Sequence, residues 1–371
     1  MKKILIIGVL LIFILVAYIK ISEYKETKEN NQVSLYQSIK SNDIENVKKL
    51  LPQVSEVRDS DIAMSIEINN VDILKLLLNS KKVKADNYRL PLRIATIFSH
   101  NIEMVKLLLD SDETIEVPCE LLEELSGLSL PNDTKIMELL LDRWFRLGNN
   151  LENCGEKLFF NAIEIGNKGI IDLLVKKGVK TDSLQAAIAL GKKEEVEKYL
   201  KESEDKKSTS PLTSQPNTPV RSQTKMPKPN TIYTHVDTSD LYLAVVNNQV
   251  EIAKLLLKYG ANVDDGKTTS TYATGPILAG GNTIVEYPLI VAVARGYKEI
   301  AKLLLENGAN VNYEDINGNT ALDYVTGEAE KQIRNKYGTN IKFPKDEEME
   351  RLLLKYGAKE GSHTSHMMPI Y

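Results

Sequence analysis

Residue types that catalyse reactions are few in this 371-residue chain, and they do not stand at the spacings that catalysis requires. The chain contains four histidines and two cysteines. It contains no H-E-x-x-H zinc motif, no G-x-S-x-G nucleophile motif, no C-x-x-C redox pair and no G-x-x-x-x-G-K-[ST] phosphate loop. The sequence therefore predicts a protein that is not an enzyme and that binds no cofactor and no metal ion.

Three short patterns resemble binding sites, and each has a simpler explanation. Residues 275–283 are rich in glycine, but they lack the lysine of a phosphate loop and fit a hairpin tip. His363 and His366 are two possible metal ligands in a C-terminal tail, and a pair alone makes a weak site. Residues 216–221 have the P-x-x-P-x-R form that SH3 domains bind, in a stretch that is also typical of a proline-rich linker.

The charge balance argues against nucleic acid as a partner. Lysines and arginines number 47 against 51 aspartates and glutamates, which gives a formal net charge of −4. A chain with this balance has no broad basic field to attract a phosphate backbone. Because the chemical motifs are also missing, we predict neither a nucleic acid nor a small-molecule substrate as a ligand.

The N-terminus is typical of a membrane-targeting segment. Lys2 and Lys3 precede the uncharged apolar residues 4–19, and Lys20 follows them. As a helix this run would be roughly 24 Å long, against a hydrocarbon core of about 30 Å, and flanking lysines can cover the difference by snorkelling. We predict a single-pass signal anchor over residues 1–20. A signal peptide that is cleaved to release a secreted protein is the alternative, although no clear A-x-A site follows the run.

The clearest repeated unit covers residues 287–312, with the sequence YPLIVAVARG followed by YKEIAKLLLENGANVN. It resembles the ankyrin repeat, in which T-P-L-H-x-A-A begins the first helix, E-I-V-K-L-L-L forms the second and G-A-D-V-N follows. The positions that match are Pro288, Leu289, Ala292, Gly296, Leu303, Leu304, Gly308, Ala309 and Val311.

Each matching residue type has a mechanical role. Pro288 suits the first turn of a helix, and Ala292 is small enough for neighbouring repeats to approach. Gly296 and Gly308 end helices, since glycine adopts the left-handed conformation without a Cβ clash. The leucines recur every three or four residues, which places them on one face of the second helix.

The second-helix string recurs along the chain and defines about nine units. The steps between Leu76, Leu107, Leu139 and Leu173 are 31, 32 and 34 residues, close to the family period of about 33. The resemblance covers residues 33–358. It implies an all-α fold, an ankyrin-repeat solenoid of helix-turn-helix units with hairpin loops, preceded by the N-terminal transmembrane helix.

Interruptions of the period give the domain organisation. We predict about six degenerate repeats over residues 33–200, a disordered Ser/Thr/Pro-rich insert over 201–237, about three repeats over 238–358 and a flexible tail over 359–371. Smaller insertions fall near residues 266–286 and 328–345. Apolar residues on both sides of the large insert favour stacking of the helices across it.

The histidine of the family pattern is missing from every unit. Its place is taken by other residues: Arg93, Phe160, Tyr242, Ile290 and Asp323. The hydrogen-bond network that this histidine supports in the family is therefore not expected. We expect the repeats to stack through apolar contacts.

The resemblance implies a scaffold for protein–protein interaction, here tethered to a membrane, whose partners are one or more unidentified proteins. An alternative is an inhibitor or regulator that occludes a partner enzyme, for example as an exported bacterial effector. Candidate partner-binding residues are polar positions of the hairpins and of one helix end: Asn262, Asp264, Asp265, Arg295, Tyr297, Asn312, Tyr313, Glu314 and Asp315.

Membrane fractionation tests the N-terminal anchor. If residues 4–19 stay in the bilayer, high salt and carbonate will not extract the chain. Replacing Ile12 and Leu15 with lysine should release it, since each central charge costs roughly 2.5–3.5 kcal/mol on insertion scales. A cleaved signal peptide would instead give a soluble protein whose mass lacks residues 1–19. Intact wild-type chain in the soluble fraction would contradict both interpretations.

Overall fold

The computed structural model describes residues 29–84, 88–129, 132–152, 154–208, 231–274, 280–332 and 340–363. They form two compact units, unit 1 ending at Cys154 and unit 2 beginning at Gly155. The predicted transmembrane segment, residues 1–20, lies outside these ranges. Within them, no helix is both long and apolar enough to cross a membrane.

Unit 1 contains four helix pairs in its described part. Its helices are α1 (29–40), α2 (Ile44–Leu50), α3 (Asp59–Glu67), α4 (Val71–Asn79), α5 (Arg89–Arg93), α6 (Ile102–Ser111), α7 (Cys119–Ser126) and α8 (Asp133–Arg146). A 3-10 turn follows α2 at Leu51–Gln53, and α5 continues into a π-helix at Ile94–Phe98.

Unit 2 contains five helix pairs and five strands among its described residues. These are α9 (Gly155–Ile165), α10 (Lys168–Lys176), α11 (Leu184–Ala189), α12 (Lys193–Ser208), β1 (Thr231–Thr238), α13 (Asp240–Val246), α14 (Val250–Lys258), β2 (Lys267–Thr274), β3 (Gly280–Glu286), α15 (Pro288–Ala294), α16 (Lys298–Glu306), α17 (Asp323–Thr326), β4 (Glu330–Gln332), β5 (Asn340–Lys342) and α18 (Glu347–Lys355). The mostly helical fold predicted from the repeats is confirmed.

One turn geometry joins the two helices of most pairs. The turn residue has a positive φ, as at Asn69 (55°) and Gly296 (71°), so that asparagine or glycine is favoured there. The first residue after the turn donates its N–H to a backbone carbonyl five positions earlier. The residue that carries this carbonyl is small and buried. The pairs with this bond are Asp43 with Ser38, Asn70 with Ser65, Asn167 with Ala162, Lys192 with Ala187, Gln249 with Ala244 and Tyr297 with Ala292.

Neighbouring pairs pack first helix on first helix and second helix on second helix. In unit 1, α3 contacts α5 while α4 contacts both α2 and α6. In unit 2, α13 contacts α11 and α15 while α14 contacts α12 and α16. The small residues at the ends of the first helices are almost fully buried in these contacts, which is why they must be small.

Helices on the two sides of the large insert stack directly on one another. Before the insert lie α11 and α12; α11 contacts α13, and α12 contacts α14, both of which follow the insert. The insert is shorter than the predicted residues 201–237 at both ends: α12 continues to Ser208, and β1 begins at Thr231. The predicted disorder falls on residues 209–230, which lie outside the described ranges. The exact domain boundaries stay a prediction.

Strands occur in unit 2, so the all-α prediction was incomplete. β1, β2 and β3 form an antiparallel sheet in that order, and β4 pairs with β5. All five strands lie where the repeat period is interrupted: β1 at the end of the large insert, β2 and β3 within residues 266–286, and β4 and β5 within residues 328–345. The sequences of β1 and β2, TIYTHVDT and KTTSTYAT, are rich in threonine and tyrosine, which favour extended backbone.

Polar contacts also join neighbouring repeats, so the expectation of purely apolar stacking was wrong. Asn70 donates its side-chain amide to Asn42 Oδ1 at 2.6 Å, and Asn101 donates to Asn69 Oδ1 at 3.0 Å. Gln249 donates to the carbonyl of Ala189 at 3.1 Å. These amides come from the position after the turn, where the family pattern gave no reason to expect them.

The start of the predicted flexible tail packs against the last repeat. Asp323, which is fully buried, accepts a hydrogen bond from the Gly361 N–H at 2.9 Å. Thr320 Oγ1 donates to the carbonyl of Lys359 at 2.7 Å, and the His363 N–H donates to the carbonyl of Gly318 at 3.0 Å. Residues 359–363 are therefore ordered by the repeat that they cover, and the rest of the tail lies outside the described ranges.

Leu304 tests the register of the repeats. It is fully buried in α16, so Leu304→Ala should lower the free energy of unfolding by about 2–5 kcal/mol through lost burial and a residual cavity. Urea unfolding followed by circular dichroism measures this change. Leu354→Ala is the control, because Leu354 is 49% exposed and its truncation should cost less than about 1 kcal/mol. Equal effects of the two changes would show that the register is wrong.

Candidate protein-binding surface

The predicted site residues of the first hairpin bond to one another and to the neighbouring hairpin. Asn262 donates its side-chain amide to Asp265 Oδ1 at 2.8 Å. Asp264 Oδ1 accepts the N–H of Asn310 from the next hairpin at 3.1 Å. Asn262 and Asp265 are exposed. The structure thus brings these three residues together at the surface, with their polar groups already paired in part.

The predicted site residues of the second hairpin fix the end of unit 2. Asn312 donates to the carbonyl of Gly357 at 3.2 Å and accepts the N–H of Lys359 at 2.8 Å. Glu314 accepts two hydrogen bonds from Ser362, at 2.8 and 2.9 Å. These side chains bind the C-terminal segment, which gives them a structural role.

The remaining members of this hairpin are also engaged. Asp315 accepts the hydroxyl hydrogen of Tyr324 at 2.6 Å and the N–H of Asn319 at 2.9 Å. Burial and the Asp315 carboxylate together raise the pKa of Tyr324. Tyr313 stacks on Tyr287 with 4.2 Å between ring centroids and 5° between ring planes.

Arg295 and Tyr297 lie at the turn between α15 and α16. The Arg295 guanidinium donates to the carbonyl of Val246 at 3.1 Å and to that of Ile165 at 2.9 Å. Tyr297 is the N-cap residue of α16 and is partly exposed. A role of the predicted residues in partner binding stays a prediction, but most of them hold parts of unit 2 together.

Sequence reasoning missed a surface in unit 1 that starts at the π-helix. The Asn101 N–H bonds to the carbonyl of Ala95, six residues earlier, where the other turns have a five-residue step. The first helix of this repeat therefore holds one extra residue, and the wider turn of the π-helix accommodates it. The spacing of Ala95 and Asn101 is visible in the sequence and could have revealed the insertion.

Phe98 is the most exposed large apolar side chain of the described residues, at 61%. Arg93 lies over its ring, with 5.5 Å from Cζ to the ring centroid, a distance that allows cation–π attraction. Leu90, one helical turn before Arg93, is 44% exposed. We call Leu90, Arg93, Phe98 and Glu124 the Phe98 patch.

Glu124 holds the arginine of the Phe98 patch in place. Arg93 donates from Nε at 2.8 Å and from a terminal nitrogen at 2.7 Å to the two Glu124 oxygens. This bidentate pair joins the first helices of two consecutive repeats and raises the pKa of Arg93. The arginine therefore keeps one orientation over the Phe98 ring, which lowers the entropy cost of contacting a partner there.

Polar groups near the π-helix are buried without compensation. Within the described part of the chain, Thr96 Oγ1 and His100 Nε2 are buried and have no hydrogen-bond partner. Burial also lowers the pKa of His100. Uncompensated polar atoms cost stability, and they often mark functional sites, as π-helical turns do.

The Phe98 patch has the composition of a protein-binding hot spot: an exposed aromatic ring, an aliphatic neighbour and an arginine with a fixed orientation. Across the described ranges, no three His, Cys, Asp or Glu side chains are grouped as metal ligands.

Comparisons with known proteins identify the repeats. Residues 289–328 match the family model described as ankyrin repeats (many copies), and residues 241–267 match the model described as ankyrin repeat. A curated ankyrin repeat protein of Rickettsia bellii (strain RML369-C) is 25% identical over 203 residues, which cover 47% of this chain and 25% of that protein. The chain thus spans about a quarter of the length of this relative. A crystal structure of the human ASB11 ankyrin repeat domain, 20% identical, covers 72% of this chain and 98% of its own, with a TM-score of 0.26.

Thr96 tests the cost of the unpaired hydroxyl in the π-helix. Thr96→Val removes a buried hydroxyl that has no partner in the described structure, so we expect the free energy of unfolding to rise by about 1 kcal/mol. Thr320→Val is the matched control, because the buried Thr320 hydroxyl bonds to Asp323 and to the Lys359 carbonyl, and its loss should destabilise. Urea unfolding measures both. Destabilisation by Thr96→Val would mean that the hydroxyl is satisfied in solution.

Proposed function

We propose that this chain, which belongs to the ankyrin-repeat family, is a membrane-tethered protein-binding module whose partner docks on the Phe98 patch. The family repeats imply a protein–protein interaction module. The place of docking and the tether are our proposals. The observation that carries the docking site is the 61% exposure of Phe98 beside the ordered Arg93.

Exposure of Phe98 and Leu90 has a cost unless another surface covers them. Full burial of a large apolar side chain contributes about 1.5–3 kcal/mol of favourable free energy relative to leaving it exposed to water. The ring also lies beside a helix whose extra residue leaves buried polar atoms unpaired. A binding surface accounts for both features, because the π-helical turn presents the ring to a partner.

Arg93 narrows the chemistry of the partner. Its guanidinium is already neutralised by Glu124, so the Phe98 patch attracts a partner mainly through apolar contact and through hydrogen bonds at its rim. We expect the partner to offer an apolar pocket for the Phe98 ring, with a backbone carbonyl or polar side chain near the exposed edge of Arg93.

The tether rests on residues 4–19. An apolar run that follows two lysines and precedes another supports insertion in a bilayer. A tethered module meets a membrane partner at a raised effective concentration, so that moderate affinity is enough for function.

Quantitative affinity purification from intact native membranes tests the docking site. Wild-type chain and Phe98→Ala should be used as baits at equal amounts. Loss of a hot-spot aromatic costs 2 kcal/mol or more, so we expect the captured partner to fall by about thirtyfold or more. Phe160→Ala is the control, since Phe160 is also exposed, at 41%, but lies in unit 2.

Equal capture by wild-type and Phe98→Ala baits would exclude the Phe98 patch as the docking site. Loss with both the Phe98 and the Phe160 variants would indicate a general effect on folding, which circular dichroism of the purified variants detects. Prey that is an enzyme with reduced activity in the complex would point to the inhibitor alternative.

A further inference from the structure

Helix α13 is buried on every side. All six residues from Leu241 to Val246 are 2% exposed or less, including the tyrosine at position 242. In a stack of helix pairs, a first helix has its own second helix on one side and the two neighbouring first helices on two others, which leaves a fourth side to solvent. For α13 these three neighbours are α14, α11 and α15.

Helix α9 covers the fourth side of α13. It contacts α13 as well as α11, although α11 and α12 come between the two pairs in the sequence. Asn247, at the end of α13, donates to the carbonyl of Ile163 at 2.8 Å. A Cβ at Gly166, just after α9, would lie 2.3 Å from the carbonyl oxygen of Val246. The end of α9 therefore packs so closely against α13 that position 166 has no space for a side chain.

Polar groups around α13 match the end of α9. Glu164 accepts hydrogen bonds from Thr238 Oγ1 at 2.8 Å and from Lys267 Nζ at 3.1 Å, and both ionic side chains are mostly buried. Arg295 binds the carbonyl of Ile165 at the helix C-terminus, where a positive charge is favoured by the helix dipole. Apolar residues of α9 fill the centre, since Ala162 and Ile163 are almost fully buried.

We infer that the first-helix face of α13 is a groove for an amphipathic helix, and that α9 is its resident occupant, which a partner helix of the same chemistry must displace. Such a helix carries a small and a branched apolar residue in its last turn, a carboxylate beside them and free C-terminal carbonyls. The groove is a second surface, distinct in its residues from the Phe98 patch, and it is closed in the resting chain.

The geometry of the contact between α9 and α13 favours an α9 helix that a partner can displace over one that is packed permanently. Side-by-side stacking of α11, α13 and α15 repeats one geometry and is backed by second helices, as α12, α14 and α16 also stack. The α9 contact lies outside this order and is made at the end of one helix. Undocking α9 would break its contacts with α11 and α13 and expose the face of α13, while α11, α13 and α15 keep their contacts with one another.

A peptide in trans tests the groove. The probe is a fluorescein-labelled peptide of residues 154–177, which carries α9 and α10, titrated with full-length chain by fluorescence anisotropy. Ile163→Asp in the chain weakens the resident helix and leaves the groove unchanged. We expect this variant to bind the wild-type peptide in a saturable 1:1 complex, at least tenfold more tightly than the wild-type chain, whose groove is occupied. Phe160→Asp, on the exposed side of the same helix, should behave as the wild type.

Two further variants decide the interpretation. Gly166→Ala in the chain should also admit the peptide, since its Cβ meets the Val246 carbonyl and its backbone has a φ of +67°. Adding Arg295→Ala to Ile163→Asp should weaken peptide binding at least threefold, because the peptide loses the contact at its Ile165 carbonyl.

Hydrogen exchange identifies the result that overturns the inference. When α9 undocks, its amides and those facing it on α13 should exchange faster, while α14 and α16 keep their protection. Loss of protection in α14 and α16 in both Ile163→Asp and Gly166→Ala would show that α9 is an integral part of the stack. Failure of both variants to bind the peptide while the stack stays protected would show that α13 offers no groove for a helix in trans.

Discussion

In most helix pairs the first residue after the turn donates its N–H to the carbonyl of a small residue five positions earlier, and this bond sets the geometry of the repeat. It closes the first helix, reverses the chain through a residue with positive φ and starts the second helix within two residues. Because the acceptor is serine or alanine, neighbouring first helices approach closely, and leucines of the second helices are buried within each unit. The polar bridges from Asn70, Asn101 and Gln249 use side chains that this turn has already placed beside the next repeat.

Departure from this geometry produces the proposed binding surface. One extra residue between Ala95 and Asn101 forces a six-residue step, and the helix accommodates it as a π-turn. The backbone remains closed, but the hydroxyl of Thr96 and one nitrogen of His100 lose their partners. Phe98 then stands in solvent beside Arg93. A local irregularity in an otherwise uniform array thus gives one repeat a distinct chemistry.

Insertions give unit 2 a different character. The strands β1, β2 and β3 arise where the repeat period is interrupted, and their polar ends supply Thr238 and Lys267 to the carboxylate of Glu164. These contacts, with Arg295, hold α9 over the first-helix face of α13. Residues that the sequence predicts as partner-binding positions, Arg295, Asn312 and Glu314 among them, also form contacts within unit 2.

The sequence alone determined the helix pairs, because apolar spacing, turn residues and caps act within a few residues of one another. Leu304, Ala292 and Gly296 have the places that their types predict. The sequence alone did not determine which side chains remain exposed, since exposure depends on what covers each helix from elsewhere in the chain. The seat of α9 on α13 and the pairing of Arg93 with Glu124 are of this kind. Tertiary structure decided them, because each joins residues that are distant in sequence and that no local pattern connects.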